Sequence, residues 1–452
     1  NVLDYDIKND SSTLNTEKIQ NLIDHVSENG GGIIYFPAGN YITGTIYLKN
    51  DITIHLSSGA CILGSLDVND FEPVGIEKPN HSARQQRHLI YASGVKDITL
   101  MGYGEINGRG EEFWPEDYRN MSEIEIRSSM TDENGFSSRP GSYVVFDRCE
   151  NLSIENLTFA HSPHHLMYIL NSSNVQLKGV KLKQGMFEDD GPNTDGLAIS
   201  GHNFRISDCS FSTGDDCMVI GETSHLAITN CTFSTSESAV VINGLRNGVI
   251  SNCSFYEVGT VFNFRPSRGG LVENVLINNI NSKIDRKRGG TLVFARSKPA
   301  GEIRNTVKTW ADKWNINIEP ENKPAPIIRN ISFSNVKAEL DGAIFIDGLE
   351  EQYVENISFE NLRLFVRGDQ EKAEKSANPP HPYYIFGHHG APYGMFFRYV
   401  NGIILDDVEL VWNKPEKPVW GSALRIRNAK NIEIKGFKGR QSLGSRNAAI
   451  EC

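Results

Sequence analysis

Along most of the chain, apolar residues alternate with polar ones in runs too short for helices. LSIENLTF (starting at Leu152), VQLKGVKL (Val175), FRISDCSF (Phe204), LAITNCTF (Leu226), GVISNCSF (Gly248) and VLINNINS (Val275) vary one theme. ISFSNVKA (Ile331), ISFENLRL (Ile357), IILDDVEL (Ile403) and IEIKGFKG (Ile432) continue it. Each is an alternating piece, a bend at Asn, Asp or Gly, and a second short alternating piece. A period of two marks a strand that buries one face. Asn, Asp and Gly tolerate the left-handed backbone that a sharp bend needs. Successive starts lie 23, 29, 22, 22 and 27 residues apart, then further apart where loops are inserted.

A repeat near 22 residues that holds several short strands predicts one solenoid coil per repeat. The expected fold is all-β, a single-stranded right-handed parallel β-helix forming one domain over residues 1–452. A β-propeller needs blades of about 40 residues with four strands each, which these intervals do not match. Cys209, Cys231 and Cys253 fall 22 residues apart, and so do Asp208, Asn230 and Asn252. Equivalent positions on neighbouring coils sit about 4.8 Å apart, so the pattern predicts an internal cysteine stack and a polar ladder. The three thiols read as small buried hydrophobes rather than a disulfide.

Near the start the period changes. STLNTEKIQNLIDHVSENGGG (12–32) places Ile19, Leu22, Ile23 and Val26 on one helical face and ends in glycines. An amphipathic helix there would cap the open end of the solenoid, which otherwise exposes its first coil. Three stretches break the strand rhythm, at about 105–140, 283–327 and 366–399. They carry WPEDYR, RKRGG, KTWADKWN and HPYYIFGHHGAPYGMFF. Long irregular insertions are usually functional or disordered, and their aromatic residues argue against disorder and suit either sugar stacking or loop packing.

Composition narrows the partners. Lys and Arg number 45 against 56 Asp and Glu, a net charge of -11, which argues against nucleic acid or an anionic membrane as a partner. No apolar run approaches the roughly 18 residues that a bilayer span requires. The chain opens at Asn1 without a hydrophobic leader, which fits a cytoplasmic protein or a mature product after signal removal. Its seven cysteines form neither a CxxC metal pattern nor a disulfide framework.

The candidate chemistry lies in acids that share the repeat. Asp195 in GPNTDGLAIS, Asp216 in STGDDCMVIG and Glu237 in FSTSESAVVIN are spaced 21 residues apart. On coils of about 22 residues they occupy one face of neighbouring turns, with Asp215 beside Asp216. Carboxylates gathered in this way repel one another. A hydrolytic site uses that repulsion to separate their proton affinities. Glycoside hydrolysis needs one acid to protonate the leaving oxygen and one base to activate water. A calcium site would also collect acids, and a solvated acidic face is the plain alternative.

At these residues the chain resembles glycoside hydrolase family 28, the polygalacturonases and their relatives, as a divergent member. NTDG at 193–196 and GDDC at 214–217 match two family motifs in type, order and separation, and RGG at 268–270 resembles the next landmark. The resemblance runs from FPAGNYITG near the start to the late strands and is most specific between residues 193 and 275. It implies a right-handed parallel β-helix and hydrolysis with inversion at the anomeric carbon. By the same resemblance Asp215 is the general acid, and Asp195 and Asp216 together hold and deprotonate the attacking water. Inverting enzymes keep their carboxyl groups roughly 6.5–9.5 Å apart to admit that water.

The departures point to altered specificity. SES (236–238) stands where the family has Gly-His-Gly, so Glu237 replaces a histidine. The Arg-Ile-Lys that grips a galacturonate carboxylate is absent. In FNFRPSRGG, Asn263 and Arg265 are its partial substitutes, and Arg265 or Arg268 offers a bidentate carboxylate contact. Cys217 lacks the cysteine partner common in fungal members. An acid at position 237 repels unmodified homogalacturonan. The expected substrate is therefore rhamnogalacturonan, galacturonan-derived oligosaccharide or another acidic glycan, and the three loop insertions suit a closed, exo-acting pocket.

Asn193 and His165 join Glu237, Asn263, Arg265 and Arg268 as candidate substrate contacts, His165 in HSPHHLMYIL and Asn193 in NTDG. His388–His389 is treated as structural, and neither histidine pair has enough neighbouring ligands for zinc. No metal or cofactor is implied. The partner is an acidic or pectin-type polysaccharide or oligosaccharide, the chain a monomer and its location secreted or periplasmic. Two rivals remain: a polysaccharide lyase on the same fold and a non-catalytic glycan-binding β-helix.

Overall fold

One column of apolar side chains threads six successive strands in the first half of the chain. Ile34 pairs with Ile54, Ile54 with Leu100, Leu100 with Ile154, Ile154 with Leu177 and Leu177 with Ile206, always in parallel register. All six are at most 2% exposed. A second column runs Tyr41, Ile62, Ile106, Phe159, Leu182 and Phe211. A third runs Ile90, Val144, Met167 and Leu197. Three inward columns define three-sided coils. Each fully buried Leu, Ile or Phe contributes about 1.5–3 kcal/mol. A slip of one residue would turn an entire column outward, so the register is tightly held.

These features come from a computed structural model. It describes residues 1–452 apart from 75–86, 118–119, 122–138, 185–192, 236, 284–290, 298–299, 301–322, 341–343, 368–392, 413–420 and 447. The described residues divide into two compact units that meet in sequence at the Asp215–Asp216 peptide bond. The first holds the columns above. In the second, Met218, Val240, Phe262, Val293, Ile344, Met395 and Leu424 form one inward column. Ile228, Ile250, Ile277, Phe333, Phe359 and Leu405 form another. Aromatic rings stack in step with the coils, Phe333 on Phe359 at 5.0 Å and Phe233 on Phe255 at 4.9 Å. The expected fold class, a right-handed parallel β-helix, is the one observed.

The bends follow the Asn signal. Asn151, Asn174 and Asn203 all have φ between 55° and 60°, and their amides form a ladder. Asn151 donates to Asp97, Asn174 to Asn151 and Asn203 to Asn174. In the second unit Asn279 donates to Asn252, Asn335 to Asn279 and Asn361 to Asn335. Each rung supplies both the left-handed backbone and a hydrogen bond to the next coil. Cys231 and Cys253 lie buried and unbridged beside one another in this unit, and Cys209 is buried and unbridged in the first.

Two boundaries differ from the sequence reading. The capping helix spans Thr16–Glu28, with Ile19, Leu22 and Ile23 buried and Val26 half-buried. Residues Asp10–Leu14 instead form a strand parallel to Gly39–Thr43. Asn15 separates the two elements, its side chain bonded to both the N–H and the C=O of Lys8. The irregular stretches are also shorter than expected. Glu105–Asn107, Thr291–Arg296 and Met395–Arg398 are strands within regular coils. TLVFAR is buried on both faces except at Arg296, so it shows no alternation to detect. Most of the remaining insertion residues, with RKRGG, KTWADKWN and His388–His389, lie outside the described residues.

Candidate active site

In the first unit the turn between the strands Thr158–Ala160 and Met167–Lys178 carries His164 and His165. Fully buried Gln184 braces it. Its Oε1 accepts from the Ser162 N–H at 2.7 Å, and its Nε2 donates to the His164 carbonyl at 3.1 Å. Asn193 adopts φ 58°, a bend that suits asparagine and leads into Thr194 and Asp195 just before the strand Leu197–Ser207. The Leu166 N–H then donates to the Asp195 carbonyl at 2.9 Å. That main-chain contact sets the two side chains together, His165 Nε2 lying 3.1 Å from Asp195 Oδ1. Both side chains are 17% exposed. His165 Nδ1 meets the Tyr168 hydroxyl. Asp215, the last described residue of this unit, lies in a turn after the strand Ser210–Thr213, where Thr213 Oγ1 donates to the Asp215 carbonyl at 2.7 Å.

Asp216 opens the second unit, and at 8% exposure it is buried. Its Oδ1 accepts from the Ser238 N–H at 3.0 Å, and its Oδ2 accepts from the Arg265 guanidinium at 3.1 Å. A buried carboxylate needs this kind of compensation, and charge-assisted bonds supply it. Asn263 continues the network, its Nδ2 donating to Ser238 Oγ at 3.0 Å. Asn263 Oδ1 and Arg265 Nε are buried without a hydrogen-bond partner among the described residues. Glu237 is half-buried between the strands Thr232–Thr235 and Ser238–Tyr256, and its carbonyl accepts from Gly259 and Thr260. Arg268 donates to the Lys323 carbonyl at 2.7 Å and contacts Glu351 at 3.4 Å. Its described contacts anchor the loop, in which Gly269 adopts φ 81°.

The structure thus joins His165 with Asp195, and Asp216 with Arg265 and Asn263 through Ser238. Tyr168, Gln184 and Ser238 were not singled out from the sequence. Tyr168 carries a legible signal, because it is the outward position between inward Met167 and Ile169. Ser238 holds Asp216 through its main-chain N–H, which side-chain chemistry cannot announce.

Residues 34–238 match the family described as Glycosyl hydrolases family 28, and residues 1–59 match one described as Rhamnogalacturonase A/epimerase, pectate lyase-like. A probable polygalacturonase from Vitis vinifera is 27% identical over 231 residues, 48% of this chain and 43% of that protein. An exo-poly-alpha-D-galacturonosidase from Dickeya chrysanthemi is 27% identical over 250 residues, 48% of this chain and 40% of that protein. The chain therefore spans less than half the length of these relatives. The crystal structure of a hyperthermoactive exopolygalacturonase from Thermotoga maritima superposes with a TM-score of 0.63. It is 23% identical, covers 81% of this chain and 86% of its own, and bears on the fold. Residues 34–238 are thus similar to glycosyl hydrolase family 28.

Proposed function

We propose that this chain is a family 28 enzyme, an inverting glycoside hydrolase that cleaves acidic, pectin-type polysaccharide. It works as one catalytic domain over residues 1–452 and acts from chain ends on rhamnogalacturonan or galacturonan-derived oligosaccharides. Asp215 serves as general acid. Asp195 and Asp216 hold and deprotonate the attacking water. The observation that carries this reading is the unlike setting of two adjacent acids. Asp216 is buried with both oxygens engaged, by Ser238 and Arg265, while Asp215 is only half-buried. Two carboxyl groups in different surroundings can divide the acid and base roles.

Arg265 enters this reading as the counter-ion of Asp216, and a substrate carboxylate would have to share it. Asn193, Glu237, Asn263 and Arg268 remain proposed sugar contacts. The enzyme acts as a secreted or periplasmic monomer. The exo mode draws support from the name of one relative, matched over about half of this chain.

Digestion of a panel of pectic glycans, with and without a chelator, tests the reaction class. The expected result is new reducing ends, no ultraviolet-absorbing unsaturated product and no effect of EDTA. Unsaturated products that vanish with EDTA would make the protein a calcium-dependent lyase. Binding without any product would make it a glycan-binding β-helix. Early release of single terminal units supports exo action, and dominant internal cleavage from the first minutes would contradict it.

A further inference from the structure

The site contains a histidine that touches a proposed catalytic acid and is itself held on both ring nitrogens. We infer that His165 is a positioning residue for Asp195 and that Tyr168 sets its tautomer, a conclusion that rests on the hydrolase reading above. His165 Nε2 lies 3.1 Å from Asp195 Oδ1. On the opposite side of the ring, Nδ1 meets the Tyr168 hydroxyl. A phenol is a good donor and a carboxylate only an acceptor. With the phenol as donor, the chain of bonds runs Tyr168 O–H to Nδ1, then Nε2–H to Asp195. This places a neutral imidazole with its proton on Nε2.

The titratable side chains touching His165 in this unit include His164, Tyr168 and Asp195. His164 packs its ring 4.3 Å from that of His165, and its Nδ1 accepts the His165 main-chain N–H at 2.8 Å. A nitrogen that accepts carries no proton, so His164 is uncharged. Ser162 Oγ donates to the His165 carbonyl at 3.2 Å, and the Tyr143 N–H donates to it at 2.9 Å. The backbone is thus pinned from two sides.

One oxygen of Asp195 is committed to His165, which holds the carboxyl group in one orientation. A base that must meet a water at one angle gains from having its own rotation removed. The bond to Nε2–H also favours the ionised carboxylate that a base requires. His165 moves no proton to substrate; it aims Asp195. The sequence predicts a sugar contact for His165, and the inferred task is positioning instead.

Three variants and one spectrum test the inference. His165→Leu removes the donor, His165→Gln keeps an N–H at the Nε2 position, and Tyr168→Phe removes only the tautomer-setting hydroxyl. For His165→Leu we expect kcat to fall by roughly 10- to 100-fold, KM to change little, and the acid limb of the kcat/KM profile to move to higher pH. His165→Gln should restore the position of that limb. In 15N spectra at neutral pH, wild-type His165 should be protonated at Nε2 alone, and Tyr168→Phe should populate the Nδ1–H form. A wild-type imidazolium or Nδ1–H tautomer overturns the inference. So does an active His165→Leu enzyme with an unmoved pH profile. If wild type hydrolyses no pectic glycan, the hydrolase reading falls, and the nitrogen spectra still decide the bonding.

Discussion

The Arg265 guanidinium lies 3.1 Å from Asp216 Oδ2, although 49 residues separate the two in sequence. The Asp216 side chain is 11% exposed and that of Arg265 is 24% exposed. The pair therefore works in a partly dry setting, where removing one partner leaves a charge uncompensated.

For Arg265→Gln we predict a fall in kcat of roughly 100-fold, equivalent to about 2.7 kcal/mol, together with a lowered urea midpoint. Arg265→Lys should recover part of the stability and less of the activity, because a point charge cannot reproduce the planar fork. Steady-state kinetics and unfolding curves on both variants check this. Equal activity in wild type and Arg265→Gln would remove the pair from the mechanism.

His88 gives a prediction in pH. It is buried in the first unit, stacked on Tyr91 at 5.3 Å, with Nδ1 2.6 Å from the Ser142 carbonyl. Burial lowers its pKa from 6.5 to about 4, against the raising effect of the Ser142 bond. Above pH 6.5 the ring is neutral folded or unfolded, and its contribution is fully present. As pH falls from 6.5 towards 4 the unfolded chain takes up a proton that the folded one refuses, so stability is lost. The loss from this group is about 3 kcal/mol. Urea midpoints from pH 7 to 4 should fall more steeply for wild type than for His88→Gln; parallel slopes would contradict the assignment.

Asn335 should be unusually sensitive for an exposed residue. It has φ 54°, donates to Asn279 and accepts from Asn361. Asn335→Ala loses both bonds and forces a Cβ residue without polar help into the left-handed region, a cost of about 2–3 kcal/mol. Asn335→Gly loses the bonds but relieves the backbone, and it should be the milder by about 1 kcal/mol. Thermal melts of the two variants test the order.

The ladder positions explain why the fold was legible. Alternation fixes which residues point inward, and asparagine fixes where each coil bends, so columns such as Ile228 to Leu405 follow from the pattern. Thr291–Arg296 escaped because a strand covered on both faces loses its alternation. The acids were visible through their spacing, and so was Arg265 through its motif. The task of Arg265 was not visible, because pairing with Asp216 depends on how a loop returns across two coils. Ser238 was hidden for a simpler reason, since its bond to Asp216 uses a main-chain N–H that any non-proline residue there would supply.

The most direct measurement compares wild type with Asp215→Asn on pectic oligosaccharides, following reducing-end release and binding in parallel. With Asp215 as general acid, release should fall by roughly 1,000-fold or more while binding is retained. Undiminished release by a folded Asp215→Asn protein would contradict the central claim.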